Sequence, residues 1–357
     1  MLNDDRLKSA DICNTALFAA IVTFFILGVF VASPAMSPPA PKSGGAFKGV
    51  SAKQSTPPPR FTAESASGRE IRTFFEAIKR EDVKTVRQLL NKNGMLANAQ
   101  WNRDTALCWA MMAKKGARPL VMQLLRHGAY PNKPCDYGYP LTWAASLPSL
   151  CERYRGVDGS IDRSVLSELI LHGARVNAFS RHGNTALMAA AAYNNLNAVR
   201  ILLKAGANPY AQNSKGETAL DLIGEYNATV SSLPVACKLL SAGPSLMHLR
   251  SRRGWTPLFY AVVGHQHHLA RLLVARGANV NARGGTGGTP LMLAALQGEI
   301  NMAKFLLAHG ADARIEDHDG GEVPHTAAYY AKFFKHFRLA AILRQAEKIG
   351  PRTTTMR

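Results

Sequence analysis

The feature that most constrains the fold is a motif that recurs along the chain about every 33 residues. The stretch GWTPLFYAVVGHQHHLARLLVARGANVNA, at 254–282, has counterparts in GNTALMAAAAYNNLNAVRILLKAGANPYA, beginning at Gly183, and GGTPLMLAALQGEINMAKFLLAHGADA, beginning at Gly287. Each copy holds two short apolar segments, which are too small to enclose a core alone. The pattern therefore predicts an array of stacked helix pairs.

Each copy also carries start and stop signals for its helices. A hydroxyl before the first helix accepts a hydrogen bond from a free backbone N–H, proline suits the first helical turn, and a glycine after the second helix suits a left-handed cap. The predicted helix starts are Thr105, Tyr139, Thr185, Thr218, Thr256 and Thr289, with prolines at Pro140, Pro257 and Pro290. The predicted glycine caps are Gly128, Gly173, Gly206, Gly277 and Gly310. Tyr139 is the one start that lacks threonine.

The recurring Thr-Pro-Leu start and Leu-Leu-x-x-Gly-Ala end resemble the ankyrin-repeat family over roughly residues 69–349. The resemblance implies an all-α ankyrin-repeat solenoid of helix–turn–helix repeats joined by β-turn fingers. A first helix pair, FFEAIKREDVKTVRQLLNKNG, and a last one before a disordered tail at 350–357 are expected to cap its ends. The six repeats that we count are led by Leu107, Leu141, Leu187, Leu220, Leu258 and Leu291. An insertion at 146–164 is either part of a binding face or a neutral expansion.

The N-terminal region has a different character. After a short tail at 1–11, residues 12–32 carry no charge and are mostly apolar, enough for a helix of about 30 Å, the thickness of a hydrocarbon core. We expect an uncleaved transmembrane anchor, with a cleaved signal peptide and a buried core helix as alternatives. Residues 33–68, rich in Pro, Ser, Ala and Gly, predict a disordered tether. This layout resembles membrane-anchored ankyrin proteins of bacteria.

The charge of the chain limits its partners. A formal net charge of +19 and a pI of about 10.0 favour acidic protein, anionic lipid or nucleic acid. Since a long C-terminal domain can cross a bilayer regardless of its charge, we expect the repeat domain to be periplasmic or otherwise extracytoplasmic. A cytoplasmic domain, or a soluble periplasmic one after cleavage, stays possible. An extracytoplasmic domain would rarely meet DNA, so nucleic acid is not favoured.

The sequence offers no motif for catalysis, a cofactor or a metal. It lacks a Gly-x-Ser-x-Gly elbow, a His-Glu-x-x-His pair and a phosphate loop. The histidine cluster at 264–268 is read as the turn between two helices, because His267 and His268 are neighbours that cannot easily face one ion. The five cysteines have no CxxC spacing. Cys108 is expected to be buried, and Cys135 and Cys151 are expected to be either two free thiols or a disulfide.

The resemblance implies that two sets of residues bind partners. One set lies beside the turn glycine at the tip of each β-turn finger, and the other lies just after the first, small-residue helix of each repeat. Arginine and large aromatic residues are enriched at interface hot spots, so we expect an exposed Trp255 beside Arg252 and Arg253; scattered surface residues without a partner are the alternative. The predicted partner-binding residues are Trp101, Arg181, His182, Tyr193, Lys215, Tyr226, Arg252, Arg253 and Trp255. Asn102, Glu217 and Gln297 occupy similar positions. Trp109, Trp143 and Tyr260 fall where the family has a core leucine and are read as packing residues.

These observations predict a non-catalytic protein–protein interaction module that is tethered to a membrane and holds or sequesters a partner protein. By resemblance, it would be an envelope adaptor or a toxin-immunity protein. The alternative is electrostatic docking of the basic repeat domain to an anionic membrane surface or to nucleic acid. No small-molecule substrate is expected, and nothing positive supports an enzyme that uses the insertion.

Overall fold

The computed structural model describes residues 68–102, 104–113, 117–135, 138–147, 154–155, 161–162, 164–223, 232–317 and 325–350. These residues belong to a unit at 61–357. The predicted membrane span at 12–32, the tether as far as residue 67 and the tail from residue 351 lie outside the described residues. In the part that is described, none of the helices combines the length and the apolar character needed to cross a bilayer.

The described residues form short helices in antiparallel pairs, as the repeat predicts. The α-helices are α1 Gly68–Lys79, α2 Val83–Lys92, α3 Ala106–Met112, α4 Ala117–Arg126, α5 Pro140–Ser146, α6 Val165–Leu171, α7 Ala186–Ala192, α8 Leu196–Lys204, α9 Leu233–Ala242, α10 Pro257–Val263, α11 His267–Ala275, α12 Pro290–Gln297, α13 Ile300–Ala308, α14 Ala327–Phe333 and α15 Phe337–Ile349. Two 3₁₀ helices span Gly94–Asn98 and Pro244–His248. The antiparallel strand pairs are β1 Gln100–Trp101 with β2 Asp104–Thr105, and β3 Tyr154–Arg155 with β4 Ile161–Asp162.

The core lies between consecutive pairs. The first helix of each repeat, here called the inner helix, has only seven or eight residues where the structure describes it, so packing must supply its stability. The six leading leucines confirm the predicted register, because each is at most 2% exposed. Small residues such as Ala190 and Ala294 are fully buried and let neighbouring inner helices approach closely.

The helix ends confirm most of the predicted signals. All five predicted glycine caps are left-handed, with φ between 80° and 93°. The hydroxyls of Thr105, Thr185 and Thr289 accept the predicted N–H bonds. Thr256 was predicted to do the same but makes no such bond, and the hydroxyl of Thr218 instead donates to the Asp221 carboxylate at 2.8 Å.

Four asparagines each tie one repeat to the next. The side chain of Asn132, for example, donates to the carbonyl of Gly173 and accepts from the N–H of Arg175, both at 2.8 Å. We call these contacts the amide bridges; they are made by Asn98, Asn132, Asn177 and Asn281. Each bridge satisfies the carbonyl of a helix-capping glycine, which has no partner within its own helix.

Repeat four departs from this scheme at both ends. At the position of the bridging asparagine, Tyr210 places its hydroxyl 3.3 Å from the Ser245 hydroxyl. Its ring lies so close to Gly243 that a Cβ there would be 2.9 Å from Cζ. Gly243 accordingly has φ −149° rather than a left-handed conformation, and the 3₁₀ helix at 244–248 follows. The repeat therefore ends in a different loop from its neighbours.

Candidate partner-binding finger edge

In repeats three to six, a β-turn finger precedes the position of the inner helix. We call residues 178–185, 211–218, 249–256 and 282–289 together the finger edge. In each finger, a backbone N–H donates to the carbonyl four residues later, as Ser251 does to Trp255 at 2.9 Å. The glycine of each turn is left-handed, with φ of 77° at Gly183 and 73° at Gly254. Glycine adopts this conformation without steric cost.

Backbone hydrogen bonds join each finger to the next. The N–H of Ser214 donates to His182 at 3.0 Å, and that of Arg252 donates to Lys215 at 2.9 Å. The N–H of Gly285 donates to Arg253 at 2.7 Å. The fingers therefore form one continuous ladder, and the position of each fingertip is fixed by its neighbour.

The close approach of the fingers explains their glycines. A Cβ added at Gly254 would lie 2.7 Å from the backbone nitrogen of Gly285, and Gly183 and Gly216 face the next finger at the same distance. Real Cβ atoms do not approach backbone that closely, so any side chain here would push the ladder apart.

Side chains reinforce the ladder, because they also donate to carbonyl groups of the next finger. The Gln212 amide donates to the carbonyl of Gly216 in its own finger, at 2.8 Å, and to that of Arg250 in the next, at 3.0 Å. The Arg250 guanidinium likewise bonds the carbonyls of Gly254 and Arg283, and Arg283 bonds that of Glu316. These two arginines are exposed, but their guanidinium groups are held against the backbone.

The finger edge carries positive charge almost exclusively. Its only acidic residue is Glu217, which is buried. Its exposed basic residues are Arg181, His182, Lys215, Arg250, Arg252, Arg253 and Arg283. Five of these seven were predicted as partner-binding residues, and the structure brings those five together along one ladder. Arg250 and Arg283 were missed because the resemblance points to residues beside the turn glycine, not to those four residues before it.

Trp255 does not lie at the surface, contrary to the prediction. It is only 7% exposed and forms a cluster with Phe259 and Ala282. Its indole stacks on Phe259 at 5.7 Å between centroids, and the guanidinium carbon of Arg253 lies 5.6 Å from its ring centre. The next finger supplies the space, because a Cβ at Gly284 would be 3.1 Å from the indole. Burial of this large apolar ring outweighs its position beside the turn.

The other predicted residues are dispersed. Trp101 is half-buried beside Phe75, 6.0 Å away between centroids, in the first finger. Tyr193 is exposed after α7, as expected for the concave face. Gln297 is half-buried and donates to the carbonyl of Val263 at 3.0 Å, so it joins repeats. Tyr226 lies outside the described residues. Trp101, Tyr193 and Gln297 lie outside the finger edge.

Two buried acidic residues, Glu217 and Asp221, lie in the finger at 211–218 and just after it. Glu217 accepts from the Asn213 amide at 2.9 Å and from the Tyr260 hydroxyl at 3.3 Å. Asp221 accepts from the N–H and the hydroxyl of Thr218, but its second oxygen is buried without a hydrogen-bond partner. Burial raises the pKa of Asp221 to about 7 and raises that of Tyr260 above its usual value. Tyr260, read as a packing residue, thus also bonds Glu217.

The cysteine pairing differs from the one considered from sequence. Cys135 forms a disulfide with Cys108, with Cα atoms 6.0 Å apart, and not with Cys151, which lies outside the described residues. Cys108 occupies the third position of α3, on the side that packs against repeat two. Cys135 is in the finger of repeat two, so the stacking of the repeats places it opposite Cys108. Cys108 is buried, as expected.

The histidine cluster is the predicted turn between two helices. His265 is left-handed, with φ 54°, and α11 begins at His267. The structure adds a residue that sequence reasoning missed: Glu299 of the next repeat lies 2.8 Å from Nδ1 of His265 and 3.5 Å from Nε2 of His267. The cluster therefore contributes to the joint between repeats five and six.

Comparisons with known proteins agree with this geometry. Models described as ankyrin repeats match residues 169–223 and 226–317. SH3 and multiple ankyrin repeat domains protein 2 of Homo sapiens is 31% identical over 156 residues, covering 43% of this chain and 8% of that protein. Neurogenic locus notch homolog protein 1 of Xenopus tropicalis is 42% identical over 88 residues, covering 25% and 3%.

A third relative carries the name of an enzyme. The glycerophosphocholine phosphodiesterase of Schizosaccharomyces pombe is 36% identical over 107 residues, covering 30% of this chain and 9% of that protein. The matches span less than a tenth of the length of each of these three relatives, so what they share with this chain is the repeat. The stacked helix pairs, the finger ladder and the matching models together identify residues 169–223 and 226–317 as ankyrin repeats.

Proposed function

We propose that this chain is a non-catalytic binding module that holds an acidic segment of a partner protein along its finger edge. Ankyrin repeats act in protein–protein interaction, which supports a protein as the partner. The observation that carries the proposal is the backbone ladder, because it holds Arg181, Lys215, Arg252 and Arg253 on successive fingers. A row of cations along four fingers that expose no acidic residue favours an extended anionic ligand.

The ladder also reduces the cost of binding. Long basic side chains lose conformational freedom when they bind, but the backbone beneath them is already fixed by bonds such as that from Arg252 to Lys215. The Arg253 guanidinium is further oriented by the ring of Trp255. Trp255 thus acts in the proposal as a buried support for an arginine and not as a contact residue.

Two further observations support the proposed location of the module. The apolar segment at 12–32 supports a membrane anchor, and the tether at 33–68 would let the repeat domain reach partners near the bilayer. The Cys108–Cys135 disulfide supports an oxidising compartment, where such bonds persist. We therefore place the repeat domain on the extracytoplasmic side, in the manner of an envelope adaptor or an immunity protein.

A charge-reversal experiment tests the surface. The full-length variant Arg181→Glu, Lys215→Glu, Arg252→Glu is compared with a matched control, Arg200→Glu, Lys204→Glu, Lys304→Glu, whose exposed residues lie on the second helices. Each protein is used as bait on solubilised native membranes after nuclease treatment, with quantitative mass spectrometry of the bound proteins. We expect the finger-edge variant to lose a bound protein that the control retains. Equal recovery by both variants would refute the assignment, and equal loss would favour non-specific electrostatic docking.

Topology is tested separately. A reporter active only outside the cytoplasm is fused after residue 357, and a cytoplasmic reporter is fused at the same position in a second strain. We expect activity from the first reporter alone. Activity from the cytoplasmic reporter alone would overturn the proposed location and make nucleic acid a candidate partner, while leaving the charge-reversal result interpretable.

A further inference from the structure

The disulfide has an acidic neighbour that neither the sequence motifs nor the finger edge explains. One oxygen of Asp104 and the sulfurs of Cys108 and Cys135 lie within 4.8 Å of one another, and all three residues are buried. The Thr105 hydroxyl lies 3.0 Å from the Cys108 sulfur. These groups come from three places: β2, the start of α3 and the finger of the next repeat. Their convergence is a product of the stacking and cannot be read from the cysteine spacing.

Strand pairing and hydrogen bonds hold the backbone of each residue in this cluster. Asp104 pairs with Trp101 across β1 and β2, and Cys108 is held by its own N–H bond to Thr105. Cys135 exchanges two backbone hydrogen bonds with Gly138, at 2.7 and 3.0 Å. The positions of the three Cβ atoms therefore do not depend on the sulfur–sulfur bond alone. Breaking that bond would leave two thiols and a carboxylate facing one another.

We propose that the reduced form of this cluster is a binding site for a divalent transition metal of the zinc class. Two thiolates and one carboxylate are a favourable donor set for such an ion, with the fourth tetrahedral position left to water. With metal–sulfur distances of about 2.3 Å, tetrahedral geometry places the two sulfurs about 3.8 Å apart. Side-chain rotation can provide that separation, because the two Cα atoms are already 6.0 Å apart.

The two states of the cluster exclude each other. A dithiol or phosphine reductant supplies two electrons and, with two protons from solvent, converts the disulfide into two thiols, while the reductant itself is oxidised. The metal ion then displaces both thiol protons to solvent and binds the thiolates. A disulfide sulfur has no thiolate charge to donate, so the oxidised protein does not bind. The compartment would thus decide whether repeats one and two are joined by a covalent bond or by a metal ion.

Cobalt binding tests the proposal on the full-length chain. The protein is reduced with a phosphine, desalted without oxygen and titrated with Co²⁺. We expect thiolate-to-cobalt charge-transfer absorption that saturates at one ion per chain and is displaced by Zn²⁺, with none in the oxidised protein. Cys135→Ser should abolish the absorption, Asp104→Asn should weaken binding about tenfold or more, and Cys237→Ser, the matched control, should bind as the wild type does.

Two results would overturn the site: a reduced wild-type protein without charge-transfer absorption, or absorption that survives in Cys135→Ser. Should that variant fail to fold, alkylation of the reduced wild type with and without Zn²⁺ identifies the bound thiols by mass spectrometry. Protection of Cys108 and Cys135 by the ion supports the site. Protection of other cysteines, or of none while cobalt still binds, refutes it. The finger edge plays no part in these measurements, so the outcome is independent of the proposed function.

Discussion

The indole of Trp255 lies on the ring of Phe259 with planes only 12° from parallel. The two rings also cluster with Ala282 of the next finger, which makes Trp255 part of the packing between repeats five and six. We expect Trp255→Ala to lower the free energy of unfolding by about 3–5 kcal/mol, because it leaves a large cavity. Arg253→Ala removes only the cation above the ring and should cost at most about 1 kcal/mol. Urea unfolding of both variants checks this, and equal small losses would show that the indole is not buried in solution.

A second prediction separates two reasons for glycine in the repeats, which are a left-handed backbone and the close approach of the next finger. Gly254 and Gly277 are both left-handed, with φ 73° and 93°. A Cβ at Gly277 meets open space, whereas one at Gly254 meets the backbone of the next finger. We expect Gly277→Ala to cost about 1 kcal/mol from backbone strain alone and Gly254→Ala to cost clearly more. Thermal unfolding measures the difference, and equal costs would argue against a tight finger ladder.

The third prediction concerns pH. Because burial raises the pKa of Asp221 from 3.8 to about 7, the folded state holds this proton more tightly than the unfolded state does. Its stabilising effect is complete below pH 3.8 and is lost as the pH rises through about 7, by up to about 4 kcal/mol. In Asp221→Asn, which cannot ionise, we expect stability to fall less between pH 5 and pH 8 than in the wild type.

Urea midpoints at four pH values between 5 and 8 provide the measurement. Asp312→Asn is the matched control, since Asp312 is a partly exposed carboxylate whose pKa is lowered by its hydrogen bond to Arg314, and it stays ionised over this range. The control should follow the wild-type pH profile. An Asp221→Asn profile that is as steep as the wild type would contradict the assignment.

A fourth prediction concerns the disulfide. Cys108 and Cys135 are 27 residues apart in sequence, and closing a loop of that length stabilises a protein by about 2–4 kcal/mol. We expect Cys135→Ser, or reduction in the presence of a metal chelator, to lower the melting temperature. Cys237→Ser leaves the bond intact and should melt near the wild type. Equal melting temperatures for the reduced and the oxidised protein would show that the bond does not constrain the chain.

The sequence predicts the stack well, because the repeat signals are local. The glycine caps and the leading leucines follow from helix geometry, and a short window around Gly206 or Leu187 already contains the information. The basic character of the fingertips is equally local, since Arg252 and Arg253 adjoin the turn glycine.

What the sequence could not predict are contacts that depend on the next repeat. Trp255 is buried because Gly284, in the following finger, leaves room for its ring. Cys108 meets Cys135 because an inner helix packs beside the next finger, and Glu299 reaches His265 because the turns between the helices of repeats five and six lie side by side. Local patterns identify which residues start a helix, but they do not say which side chain faces a neighbour one repeat away.

The amide bridges give the array an uneven mechanical strength. Among the described residues between 206 and 281, Tyr210 and His248 occupy the two positions beside repeat four where other repeats have a bridging asparagine. Because coupling between neighbours determines how far unfolding spreads in a repeat array, a pull on both ends would open repeat four first. That opening would part the finger at 211–218 from the one at 249–256. A partner held across both fingers would lose contacts when they part, so tension along the array would act as a release signal.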